Sequence, residues 1–426
     1  MTITEIYSKF NACTSVCTDT RKLKPDCIYF ALKGDNFDGN KFVSTALDGG
    51  AKYCVIDDVN AIVNDQCILV EDVLTTLQAL ATLHREHINI PIIALTGSNG
   101  KTTTKELINV VLSTTYKVKA TIGNLNNHIG VPLTLLSFTK DLDYGIVEMG
   151  ANHQKEIEFL CNIAKPDYGL ITNFGKAHLE GFGSVQGVIK GKAELYDFIK
   201  QNDKTAFINT EDYEQIKQID NYTNVITFGS NSKNDCTVSF NDANPFVTLT
   251  YKDKKIESQL IGSYNFGNIA VAIAIGQYFK VPTKQIKTSI ENYQPKNNRS
   301  EIIKKGTTQI ILDAYNANPT SMLAALKNLK QLNTTSKLLF LGDMFELGAE
   351  AEKEHQVIVD FIELNFENNI FLIGKNFQKT TTSSKIKKFK KFEDIKPDFE
   401  TLQLENATVL IKGSRGMALE RILNLF

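Results

Sequence analysis

A chain of 426 residues exceeds what one ordinary core can hold, and at roughly 100 to 200 residues per domain it points to two to four domains, with three as the working number. Its 42% hydrophobic and 22% charged residues suit a water-soluble globular protein, and a formal net charge of -1 sets up no global field for nucleic acid or anionic lipid. No apolar run reaches the roughly 18 residues of a membrane span and residues 1–10 lack the pattern of a signal peptide, so a cytoplasmic protein without membrane insertion is expected.

In chain order, the first 83 residues read as a separate α+β module with strands near 27–32 and 53–56. From about 84 to 297 short apolar runs alternate with helical patterns, as in a parallel sheet wrapped by helices. Strand candidates at 90–96, 144–147 and 169–172 run into Gly97, Glu148 and Asn173, and in an open α/β sheet such ends share one crevice. Residues 236–260 alternate around an Asn-Asp-Ala-Asn-Pro turn and predict an antiparallel hairpin; residues 265–279 return to helical spacing. After about 298, strands near 309–314, 337–341, 370–373 and 408–412 form a smaller doubly wound set. The lysine-rich run 385–391, interleaved with Phe389 and followed by Glu393 and Asp394, reads as a solvated helix or loop face rather than a nucleic-acid patch. Seven cysteines, scattered and odd in number, read as reduced and mostly buried thiols.

Gly97-Ser98-Asn99-Gly100-Lys101-Thr102-Thr103 lies between a buried-strand pattern and a helix carrying Leu107, Ile108 and Val111. That context suits a phosphate loop: glycines let backbone N–H groups close on phosphate oxygens, Lys101 reaches the outer phosphates, and the Thr102 hydroxyl can bind Mg²⁺. The spacing departs from the common loop, because Leu95 stands five before Gly100 and the first glycine is Gly97. Glu148 closes an apolar strand, where a carboxylate either holds Mg²⁺ or caps a turn. A lone histidine such as His178 is more often structural than a ligand, and Lys192, within residues 189–196, looks like ordinary helix surface.

Taken in order, the Gly97 loop, Glu148, the stretch from Thr172 and Asn173 to His178, and Gly262-Ser263-Tyr264-Asn265-Phe266-Gly267-Asn268 resemble the Mur ligases, amide ligases of peptidoglycan precursors. Residues 313–322, 342–348 and 18–23 narrow the resemblance to the branch that adds a dipeptide, and it spans essentially the whole chain. It implies a three-domain α/β architecture: an N-terminal α+β domain for a UDP-substrate (1–83), a central P-loop-type, mostly parallel sheet domain for ATP (84–297), and a C-terminal Rossmann-like domain for the dipeptide (298–426). The implied reaction joins D-alanyl-D-alanine to UDP-N-acetylmuramoyl-tripeptide through an acyl phosphate, with ATP and two Mg²⁺ ions as cofactors and a monomer as the working form.

By that resemblance Thr20, Arg21, Gly34 and Asp38 bind uridine, and Asn126 and Asn127 flank the muramoyl peptide. Tyr315, Asn316 and Asn318 match further substrate positions. Asn268 sits on the adenine side, and Arg299 and Asp313 reach the nucleotide on domain closure. Thr102, Glu148, His178 and Lys192 make the metal set, with Lys192 matching a lysine that relatives carbamylate with CO₂. Two departures are Tyr264, where relatives often carry His or Phe, and Leu312, where many carry a second acidic residue. A sister Mur ligase, a folylpolyglutamate synthase and a non-catalytic nucleotide-binding relative are the alternatives; the long segment before the phosphate loop argues against the second.

Overall fold

The computed structural model describes residues 1–296, 298–334, 336–367 and 369–426, and the expected division at residue 297 lies outside the described residues. The first sheet pairs Val16–Cys17, Ile28–Phe30, Tyr53–Ile56 and Cys67–Leu69 in that order, parallel at every junction, where an α+β module was expected. Its central strands are buried on both faces, which favours parallel pairing under helices. Helices Ile3–Phe10 and Val73–Ile88 share a core with Phe30 and Val55, while Val43–Asp48 shares another with Tyr29, Cys54 and Ile56. Helix Val73–Ile88 starts on the Asp72 cap and runs unbroken through the expected division at 83/84. Its buried Arg85 binds Ala164 O at 2.9 Å and Asp167 Oδ2 at 2.8 Å, fastening it to the next sheet.

The second sheet has nine strands in the order Lys254–Ile261, Phe246–Tyr251, Cys236–Ala243, Val225–Gly229, Thr205–Asn209, Tyr168–Ile171, Ile92–Thr96, Tyr144–Glu148 and Val118–Ala120. The first three form an antiparallel meander rather than the single hairpin expected, and the rest pair in parallel. Register sets Thr96 opposite Ile171 and Leu95 opposite Glu148, so the carboxyl ends of three neighbouring strands converge. Helices Lys101–Leu112 and Asn265–Tyr278 cover one face; Glu156–Ala164 and Val185–Gln201 cover the other.

The third sheet runs Glu301–Lys305, Thr308–Asp313, Ala407–Lys412, Ser336–Gly342, Ile370–Ile373 and Ile386–Phe389, parallel except for the first pair. The lysine-rich run is therefore an edge strand, not a helix or loop face. Lys385 donates to Glu363 O at 2.7 Å and Lys388 to Thr380 O at 2.7 Å, so the charges guard an exposed sheet edge. All seven cysteines are free, five of them buried. Among the described residues no helix is long and apolar enough to cross a membrane.

Candidate functional site

Strand Ile92–Thr96 is buried at every residue and delivers the chain to Gly97, whose φ of +141° brings a hypothetical Cβ within 2.0 Å of Thr172 Oγ1. Gly100 caps helix Lys101–Leu112 at φ +80°, and a Cβ there would meet the Asn268 side chain at 2.6 Å. Both glycines are required by backbone conformation and close approach together. The next strand end braces the loop: Asn99 N donates to Asn173 Oδ1 at 3.1 Å, and Thr172 Oγ1 and Asn173 Nδ2 donate to Asn99 O at 2.6 and 2.9 Å. The unpaired N–H groups opening the helix then face outward as an anion seat.

Glu148 is 1% exposed, and its Oε1 accepts Thr102 Oγ1 at 3.2 Å and Asn126 Nδ2 at 2.8 Å. Its Oε2 is buried with no hydrogen-bond donor. Lys101 Nζ donates to Gly97 O at 2.7 Å; burial beneath the loop holds its amine below the usual lysine range, against the pull of Glu148. One turn further, buried Lys105 sets Nζ 3.9 Å from Glu148 Oε2 and 3.5 Å from Gly123 O. Lys105 is a site residue that no motif marks in the sequence; its i,i+4 relation to Lys101, which places both on one helix face, is the signal for it. Asn268 Oδ1 accepts Thr104 Oγ1 at 3.0 Å and its Nδ2 donates to Asn265 Oδ1 at 2.8 Å. Asn127 Oδ1 accepts Gly130 N at 2.8 Å, ahead of helix Gly130–Leu136.

Lys192 is not helix surface. It is 1% exposed, donates to Ala151 O at 3.0 Å and lies 5.0 Å over the Phe182 ring. Burial, reinforced by the charge of Lys101, pushes its amine well below the ordinary range. The buried stripe Val188, Lys192, Leu195 and Ile199 on helix Val185–Gln201 has helical spacing, so its place was legible once Lys192 is counted with the apolar face. His178 takes φ +52° before helix Leu179–Phe182 and its Nδ1 lies against the Glu346 carboxylate. That contact holds the Glu346 carboxyl below its usual range.

The opposite wall comes from the third sheet. Asp313 ends strand Thr308–Asp313, where Oδ2 meets buried Lys412 Nζ at 2.5 Å and Oδ1 accepts Ser300 N at 3.2 Å. Arg299 stacks its guanidinium 3.5 Å from the Tyr315 ring centroid, leaving Nε buried without a partner. Asn316 Oδ1 turns back on Ala317 N at 2.9 Å. Asn318 caps helix Pro319–Gln331 through Ser321 N at 2.9 Å and reaches across to Asn99 Oδ1 at 2.8 Å. Two further bonds cross with it: Lys176 N to Thr320 Oγ1 at 2.9 Å and Lys176 Nζ to Glu354 at 2.6 Å.

Between these walls lies a cavity of about 980 Å³, lined by residues 98–103, Asn126, Asn127, Glu148, His178, Asn268, Arg299, Asp313, Tyr315, Asn316 and Asn318. Gly97 and Lys192 are not on its wall, although Ala151, the partner of Lys192, is. Thr20, Arg21, Gly34 and Asp38 are not on it either. Arg21 folds back on Asp19 at 2.8 Å, Asp38 caps residues 39–42, and Gly34 has open space around it. No group of three or more His, Cys, Asp or Glu side chains arranged for a metal occurs among the described residues, so a cation at Glu148 depends on the Thr102 hydroxyl and on ligand oxygens.

Residues 95–276 match the family model of the Mur ligase middle domain, and residues 298–415 that of the Mur ligase glutamate ligase domain. Over 425 residues the chain is 34% identical to the UDP-N-acetylmuramoyl-tripeptide–D-alanyl-D-alanine ligase of Bacillus subtilis, covering 96% of this chain and 92% of that protein. It is similar to a crystal structure of MurF from Acinetobacter baumannii at a TM-score of 0.86 and 28% identity, over 99% and 98% of the two chains. It is also similar to MurF from Thermotoga maritima in complex with ADP, at 0.85 and 25% over 98% and 97%.

Proposed function

This chain belongs to the Mur ligase family, and we infer that it joins D-alanyl-D-alanine to UDP-N-acetylmuramoyl-tripeptide, consuming ATP and releasing ADP and phosphate. The observation that carries the reading is the convergence of the phosphate loop, Glu148 and the Asp313–Asn318 wall on one cavity. The tripeptide carboxylate attacks the γ-phosphorus to give an acyl phosphate, and the dipeptide amine then displaces phosphate. A carboxylate 4 Å from a phosphate oxygen is repelled by about 4 kcal/mol at an effective dielectric near 20, close to a thousandfold in rate.

The chain's own groups answer that repulsion. Lys101 would leave Gly97 O for the outer phosphates, and the helix opening at Lys101 orients its N–H groups on them. Thr102 and Glu148 fit a Mg²⁺ ion, being hard oxygen donors side by side, with Glu148 Oε2 buried and without a hydrogen-bond donor. Bound there, the ion would neutralise phosphate charge. A second ion would draw on His178 and on Lys192 as its carbamate. Carbamate formation joins the Lys192 amine to the carbon of CO₂ with loss of one proton, and needs the unprotonated amine that burial favours.

In this reading residues 1–83 hold the UDP-substrate, 84–297 the nucleotide and 298–426 the dipeptide, in a monomer of the cytoplasm. Tripeptide labelled with ¹⁸O in its terminal carboxylate tests the chemistry: one labelled oxygen is expected in the released phosphate. Label retained wholly in the product would exclude the acyl phosphate.

A further inference from the structure

The segment Gly-Asp-Met-Phe-Glu-Leu-Gly at 342–348 has no part in the reaction described above, yet it ends beside His178. The last domain holds it rigidly. Asp343 accepts Phe377 N at 3.0 Å and Asn376 N at 2.9 Å, Met344 N donates to buried His355 Nε2 at 3.0 Å, and Phe345 N donates to Ser414 Oγ at 2.8 Å. The next residue, Glu346, is forced to φ +62°, a conformation unfavourable for a residue with a side chain. What that turn delivers lies across the domain boundary: Glu346 O accepts Glu180 N at 3.1 Å, and the Glu346 carboxylate meets His178 Nδ1.

A contact to a half-exposed Glu346 carboxylate adds little stability, so stability does not account for the strained turn. Its target is also left-handed, at φ +52°, and lines the cavity. His178 Nδ1 is buried, has no other polar partner among the described residues, and lies against the Glu346 carboxylate without yet making a well-aligned hydrogen bond to it. A carboxylate on one imidazole nitrogen fixes the ring's orientation, keeps the proton on that nitrogen and makes the other the basic one.

We propose that Glu346 is a positioning residue for His178, carried in by the last domain, so that docking of the dipeptide domain is what sets the His178 ring with its proton on Nδ1 and its lone pair on Nε2. The proposal rests on the ligase reading. It explains why the carboxylate stands on a different domain from its histidine: an acyl phosphate formed before docking is lost to water, and a histidine oriented only on docking keeps the two events together.

The test uses the full chain and three variants, Glu346→Ala, Glu346→Gln and Glu346→Asn. Imidazole ¹⁵N shifts of His178, assigned by their loss in His178→Gln, report the tautomer at a pH where imidazoles are neutral. The native protein and Glu346→Gln, whose amide oxygen still accepts, show the Nδ1–H form; Glu346→Ala and Glu346→Asn show a mixture. For Glu346→Ala kcat falls about 10- to 100-fold while KM for ATP and for the UDP-substrate stays within about twofold. Glu346→Asn, which suits the left-handed turn but is too short to reach, follows Glu346→Ala. An unchanged tautomer or native kcat in Glu346→Ala overturns the proposal, as does an active Glu346→Asn, which would assign the loss to the backbone. If the native protein does not ligate, the ligase reading fails instead, and the tautomer measurement still decides the contact.

Discussion

On the phosphate-loop side of the cavity, Thr102, Glu148 and Asn268 stand on strands and helices packed on one sheet; Thr102 bonds Glu148 at 3.2 Å, and Asn268 bonds Thr104, on the same helix as Thr102, at 3.0 Å. On the opposite side, Arg299, Asp313 and Asn318 reach the same space, and Glu346 reaches His178, from a domain joined to the first by a shared apolar cluster and by bonds such as Asn318 to Asn99 and Lys176 to Glu354. The first wall is set when its sheet folds. The second exists only while two domains are docked. Damage to the first should therefore abolish chemistry outright, whereas damage to the second should be graded and specific to one substrate.

The sharpest break in that comparison is Lys101→Ala. It should lower turnover by about a thousandfold, the scale of the unscreened repulsion, with a melting temperature close to native. Turnover within tenfold of native would remove the loop from the account.

Next in size is Lys192→Met, which fills the buried space without an amine. Ligation is expected to fall at least about 100-fold, and added small carboxylic acids should restore part of it by standing in for the carbamate oxygens. Stability carries a second signature. In CO₂-free buffer, where Lys192 is a free amine that burial depresses, between that depressed value and the ordinary value of about 10.4 the unfolded chain binds a proton that the folded chain lacks. Stability then rises with pH across this window, and Lys192→Met should lose that share of the rise in denaturant titrations taken from neutral to alkaline pH. The exposed neighbour in Lys190→Ala should stay within about 0.5 kcal/mol of native and remain active.

On the docked wall, Asn318→Ala removes both a helix cap and the bond to Asn99. About 1 kcal/mol of stability should go with the cap. KM for D-alanyl-D-alanine should rise roughly tenfold with KM for ATP little changed, as one lost hydrogen bond of about 1 to 1.5 kcal/mol allows. Equal effects on both constants would mean that the walls are not separable. The smallest effect belongs to Arg21→Ala, outside the cavity, where KM for the UDP-substrate should rise about fivefold and KM for ATP should not move.

How far the sequence revealed this arrangement follows the same division. The strand ends at Gly97, Glu148 and Asn173 were legible because a buried run stopping at a special residue is a local signal. Lys105 was missed because a lysine one turn into a helix carries no mark of burial. Lys192 was read as surface because the charge outweighed its place in the stripe with Val188 and Leu195. The edge strands Glu301–Lys305 and Ile386–Phe389 escaped because edges are short and polar. The Glu346 contact with His178 could not be read at all, since it joins residues 168 positions apart through the docking of two sheets and neither shows a period or spacing that implies the other.

The dependence of phosphate release on substrate is the most direct test of the ligase chemistry. With the purified chain, ATP and Mg²⁺, release should require both UDP-N-acetylmuramoyl-tripeptide and D-alanyl-D-alanine, with either lysine or diaminopimelate tried at the third position. Mass spectrometry should then find the UDP-muramoyl pentapeptide in amounts equal to the phosphate. Phosphate released at the same rate without D-alanyl-D-alanine, or a product formed equally well from a single amino acid in its place, would contradict the account.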